Sequence, residues 1–139
     1  MISNRQRKVR IPIRKLEQFL DLALQETRLH KESVAICFVT NAQIAKWNRA
    51  YRGKNKATDV LSFCAAEDKG DGRHTYLGDI AIAPAVAQRN ARLYGRTLDR
   101  ELRILILHGI LHLMGYDHEA DTGQMERREM RLRRVLGIT

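Results

Sequence analysis

The apolar positions of this chain change period several times, and each change predicts an element. Val9, Ile11 and Ile13 alternate with their neighbours, predicting a short strand that Pro12 confines to a sheet edge or to the strand's last residues. Leu16, Phe19, Leu20, Ala23, Leu24 and Thr27 then recur at three and four, with Glu17, Gln18, Asp21 and Gln25 on the other side, as in an amphipathic helix. Residues 33–39 are an apolar run rich in β-branched side chains, which predicts a strand near the sheet centre. Thr40, with Gln43 three positions later, opens a second helix through a capping box, and Ile44, Trp47 and Tyr51 are its expected buried stripe. Residues 58–63 and 76–83 read as strands on either side of a glycine-rich, charged loop at 67–74, and this pair suits an antiparallel arrangement. Pro84 fits the first turn of a helix reaching about Tyr94, where Gly95 stops it. Thr97 caps the next helix, with Asp99 and Glu101 placed favourably against its dipole. The last helix spans 124–136, sets Met125, Leu132 and Leu136 near one face, and ends at Gly137. Strands interleaved with helices, then three helices in succession, predict an α+β fold: a small mixed sheet of about four strands packed with about five helices.

Composition narrows the function classes. A chain of 139 residues, 44% hydrophobic and 29% charged, is expected to form one globular domain over 1–139. No run has the length of a membrane span, and the longest apolar stretch, 104–113, is interrupted by histidines and glycine. The first ten residues carry charge without an apolar signal core, so the expected location is the cytoplasm. Cys37 and Cys64 lie in separate strand-like runs with no pairing motif, which predicts buried free thiols in a reducing compartment. A net charge of +9 favours a polyanionic partner. Part of that excess sits in the last helix, in Arg127, Arg128, Arg131, Arg133 and Arg134, where a solvated face explains it equally well.

Chemistry concentrates between residues 108 and 118, where three of the five histidines fall. His108 and His112 are four apart, so on a helix both imidazoles leave one face. Gly115 is a natural helix terminator, and the chain can turn there to bring His118 back toward the other two. Three neutral imidazoles without a fourth protein ligand suit a catalytic zinc site, one ion per chain, in which the metal lowers the pKa of a bound water to about 7. A lone histidine on an apolar face would instead be read as a core residue; three at this spacing would not. The window also fits the metzincin spacing of three histidines around a glycine, on a metzincin-like helix, but the glutamate that follows the first histidine in those peptidases is Gly109 here. Without that base, proteolysis is disfavoured. Phosphodiester cleavage needs a cation more than a carboxylate, and Arg52, beside Lys54 and Lys56 in a basic turn-forming segment, is the candidate to grip phosphate. An ordinary surface cluster is the competing reading of those three. Asp117 and Glu119 flank the third histidine and are candidates to orient an imidazole or accept a proton. Asp79 reaches the site only if its strand lies beneath the histidine helix, and His30 and His74 read as surface residues.

The run His108-Gly-Ile-Leu-His112-Leu-Met-Gly-Tyr-Asp-His118 resembles the signature of the YbeY endoribonucleases, the bacterial rRNA maturation factors. The resemblance continues through Asn48, Tyr51-Arg52, residues 58–63, Gly78-Asp79-Ile80, Met125 and Glu129, and departs at Cys64, where the family commonly has proline. It implies a zinc-dependent, single-strand-specific endoribonuclease acting in 16S rRNA 3′-end maturation and ribosome quality control. The implied partners are single-stranded RNA and the small ribosomal subunit, with no membrane and no DNA specificity. By that resemblance His108, His112 and His118 would bind zinc and Arg52 would be the functional arginine; read from the residues themselves, Arg52 and His108 are the candidate catalytic residues, and Arg52, Lys54 and Lys56 the candidates to contact RNA. Two other readings stay open: a ribosome-associated RNA-binding factor with a structural metal, and a metallopeptidase-like hydrolase whose base comes from elsewhere.

Overall fold

A computed structural model of the protein describes residues 1–65, 76–116 and 121–138. The elements are β1 (Ile2–Asn4), α1 (Ile13–Glu26), β2 (Val34–Phe38), α2 (Asn41–Arg52), β3 (Val60–Cys64), β4 (Gly78–Ile82), α3 (Pro84–Leu93), α4 (Leu98–Leu113) and α5 (Gln124–Leu136). The four strands form one mixed sheet in the order β1-β2-β4-β3. β1 and β4 run parallel to β2, and β3 runs antiparallel to β4 with Ser62 opposite Ile80. The fold is α+β, as expected from the pattern.

One predicted strand is absent and another takes its place at the edge. Val9 and Ile11 are not in a strand, although Val9 is buried. The Gln6 side chain donates to the Val9 carbonyl at 2.8 Å and accepts from the Val9 N–H at 2.9 Å. A side-chain amide thus satisfies both backbone groups that a neighbouring strand would have taken. Ile13 begins α1, with Pro12 at the N-cap, and the edge strand is Ile2–Asn4, paired with Ile36–Phe38.

Because strand side chains alternate, the sheet has two unlike faces. Ile36, Phe38, Ile80 and Ile82 point into the larger core, with Leu16, Phe19 and Leu20 of α1, Leu102 and Ile106 of α4, and Met125 and Leu132 of α5. Leu61 and Ala81 point the other way, into a smaller cluster with Val39, Ile44 and Val86, against which Trp47 and Phe63 pack. Tyr51 was expected in the buried stripe of α2 but lies outside this cluster and is 71% exposed.

Helix α4 crosses the sheet closely. A Cβ at Gly109 would come within 2.7 Å of Ile80 Cδ1, so only glycine lets the helix backbone lie this near β4. Thr97 caps its start by accepting from the Arg100 N–H at 3.2 Å. Its end is a Schellman turn: Gly115 has φ +98°, its N–H bonds the His112 carbonyl at 3.0 Å, and the Tyr116 N–H bonds the Leu111 carbonyl at 3.1 Å. No described helix is long and apolar enough to cross a membrane.

Candidate functional site

His108 and His112 stand one turn apart on the C-terminal half of α4, both half-buried. Their Nε2 atoms are 3.1 Å apart and their ring centroids 4.6 Å apart. Two imidazole nitrogens at about 2.0–2.1 Å from one tetrahedral ion would be roughly 3.3 Å apart, so this pair fits a shared metal. The second nitrogen of His108 is held. Glu129, nearly buried on α5, accepts from His108 Nδ1 through Oε1 at 2.9 Å, and from Arg133 through Oε2 at 2.8 Å. An ionised carboxylate only accepts, so it takes the proton on Nδ1 and makes Nε2, which faces His112 Nε2, the acceptor nitrogen of the ring. Among the described residues no group of three or more histidine, cysteine, aspartate or glutamate side chains is gathered for a metal. His118, Asp117, Glu119 and His74 lie outside those residues.

The two histidines open onto a cleft of about 740 Å³ between α4, β3 and the end of α2, bordered by Tyr51, Arg52, Asp59 and Ser62. Arg52 is not in a loop, as the sequence suggested, but is the last residue of α2; Gly53 closes the helix with φ +68°. Basic side chains favour that position because the helix end carries partial negative charge. Lys54 and Lys56 are exposed on the segment that follows and do not border the cleft. That segment is tied down by Asn48, only 2% exposed, whose Nδ2 donates to the Lys56 carbonyl at 3.0 Å.

Other residues go elsewhere. β4 does run beneath α4, but Asp79 alternates with Ile80 and therefore faces the opposite side of the sheet. His30 is exposed. Neither thiol is buried: Cys64, at the end of β3, is exposed and borders the cleft, while Cys37 is half-buried on the other face. Residue type alone assigns no role to Glu129 or Asn48. A carboxylate four residues before an arginine on the last helix was the available signal for Glu129, and it reads equally as a surface pair. Asp59 joins β3 to α3: its carboxylate accepts from Asn90 at 3.4 Å and its carbonyl from the Ala83 N–H at 2.9 Å.

A histidine pair on one helix and an arginine at the end of a distant helix thus line one cleft, and nearly the whole chain matches a known family. The family model described as Endoribonuclease YbeY matches residues 1–137. The chain belongs to the YbeY endoribonuclease family. It is 39% identical over 135 residues to an Endoribonuclease YbeY of Staphylococcus aureus strain RF122, covering 91% of this chain and 87% of that one. The YbeY relative from strain JH9 matches to the same extent. A solution structure of a Thermotoga maritima protein superposes with a TM-score of 0.65 at 28% identity, over 99% of this chain and 90% of that one.

Proposed function

We propose that this chain is a metal-dependent endoribonuclease that cuts single-stranded RNA, with His108, His112 and His118 as the metal ligands and Arg52 as the phosphate-gripping residue. The observation that carries the reading is the pair of Nε2 atoms 3.1 Å apart, one of them oriented by Glu129, in a cleft that Arg52 also borders. One divalent ion, zinc in this reading, would be held by these three histidines and would supply positive charge and acidify a water or a 2′-hydroxyl toward neutral pH. Arg52 spans two phosphoryl oxygens with its planar fork and holds them as negative charge develops on those oxygens. Glu129 keeps the His108 proton on Nδ1, so the ring meets the metal in one tautomer. Gly109 packs on Ile80 with no room for a side chain, which argues against the peptidase reading, whose base would stand there. Within this reading the substrate is 16S rRNA near its 3′ end on the small ribosomal subunit, in the cytoplasm, with a share in ribosome quality control. Lys54 and Lys56 contribute charge toward the RNA backbone beside the cleft.

The test is cleavage of a defined single-stranded RNA, with metal analysis of every sample. Wild type cuts; chelator-treated protein and His112→Ala do not, and His112→Ala binds less metal. Arg52→Ala keeps the metal and loses cleavage. Full activity in Arg52→Ala would remove that residue from the mechanism. RNA bound but uncut by fully metallated wild type would leave the second reading, a ribosome-associated factor with a structural metal, which the absence of a carboxylate at position 109 favours.

A further inference from the structure

The sheet face opposite the histidines carries a second hollow, of about 450 Å³. Its floor is made of small side chains, Ser3, Cys37, Ala35 and Ala81, which the register brings side by side: Ser3 opposite Cys37, Cys37 opposite Ala81, and Ala35 opposite Asp79. One wall is aromatic. Trp47 and Tyr51 are four apart on α2 and therefore share a helix face, and both lean on Phe63 of β3, with ring centroids 5.8 and 4.6 Å from it. Arg5 lines the hollow as well, and Asp79 supplies its carboxylate. The Tyr76 hydroxyl donates to Asp79, and burial, with that carboxylate beside it, pushes the phenol up to about 12, so it remains a donor.

Three features decide what fits here. An aromatic ring as exposed as Tyr51, beside two others and above an apolar floor, is built for a flat π-system. The Asp79 carboxylate repels a phosphate but accepts from the amino or imino groups of a base. Tyr51 also borders the histidine cleft, and Arg52 is the next residue, so the two hollows meet across β3, an edge strand. A strand whose phosphate lies at Arg52 therefore has a short path over that edge onto the aromatic wall.

We propose that this hollow is a second RNA subsite, a stacking platform on which Tyr51 and Trp47 hold a base of the single strand flanking the bond that is cut. It rests on the endoribonuclease reading and deepens it: it supplies a physical reason for preferring single strands, because a paired base cannot leave its stack to enter. The net charge of +9 suits the phosphates that would accompany that base.

Trp47 is the one tryptophan in the chain, so intrinsic fluorescence reports on this face directly. Mixing wild type with single-stranded RNA in a stopped-flow instrument is expected to quench Trp47 before turnover, whereas a blunt duplex leaves it unchanged. Tyr51→Ala is expected to raise KM for a long single strand by about 5- to 150-fold, the cost of one lost stacking contact, with a smaller change in kcat. Tyr51→Phe keeps the ring and should restore KM, and Arg5→Ala is a second variant on the far side of the hollow. A silent Trp47, or an unchanged KM in Tyr51→Ala, while wild type still cuts RNA would overturn the platform and leave the proposed activity standing. Wild type that neither binds nor cuts RNA would sink both. A dimer in sedimentation that Tyr51→Ala dissolves would overturn the proposal by assigning the face to a second copy of the chain.

Discussion

Glu129 is the residue through which the last helix takes part in the site. It is a carboxylate with two cationic or protic neighbours, one on each oxygen: His108 at 2.9 Å and Arg133 at 2.8 Å. Removing the charge of Glu129 takes away the acceptor that faces His108 Nδ1, and leaves Arg133, whose side chain is 15% exposed, without this carboxylate. Loss of an outer partner of a metal-binding histidine typically costs 10- to 100-fold in metal affinity. Glu129→Ala is therefore expected to weaken metal binding by about that factor, measured by competition with a chromophoric chelator, and Arg133→Ala by less. An unchanged affinity in Glu129→Ala would make the contact a packing feature only. The sequence offered Asp117 and Glu119 for this task because they flank His118, yet a carboxylate 21 positions beyond His108 performs it for His108. Helix docking brings that pair together, and no local spacing encodes it.

At the scale of elements, most of the pattern was legible and the exceptions have particular causes. The helix caps at Thr40 and Thr97 and the terminators at Gly115 and Gly137 are local, so three-residue spacing was enough to find them. The edge strand β1 was hidden because three residues give no period and its partner lies more than thirty positions away. The false strand at Val9 was an alternation of buried residues whose backbone bonds go to Gln6 instead of to a sheet. Tyr51 followed the helical stripe in sequence but falls at the end of α2, past the residues that cluster around Ile44. Gly109 shows the same lesson from the other direction. Read as a missing catalytic glutamate, it is in fact where α4 approaches β4, with Ile80 filling the space a side chain would need. Gly109→Ala improves helix propensity yet forces α4 away from the sheet, and is expected to destabilise the fold by about 1–3 kcal/mol in urea unfolding. Unfolding as stable as wild type would show that Ile80 moves aside at little cost.

The whole molecule assembles what sequence distance separates. Arg52 and the two histidines are more than fifty residues apart, and they meet because β3 lies between α2 and α4 in space as well as in the chain. Net charge, by contrast, is visible in the composition but does not say which cations face a ligand. Arg133 is turned inward to Glu129, Arg103 pairs with Asp99, and Arg96 pairs with the buried Glu101, while Arg52 borders the cleft. The net +9 therefore does not say which of the cations are available to a polyanion. Salt dependence counts the ones that matter, because each phosphate neutralised on a single strand releases counterions and contributes about −0.7 to the slope of log K against log salt. Arg52→Ala is expected to flatten that slope by about 0.7, measured by fluorescence anisotropy on a single strand under conditions that prevent cleavage, whereas Tyr51→Ala lowers affinity by a similar factor at every salt concentration because stacking carries no charge. Should Arg52→Ala shift affinity without changing the slope, Arg52 does not contact phosphate, and the cation serving the cleft must be sought elsewhere on this basic surface.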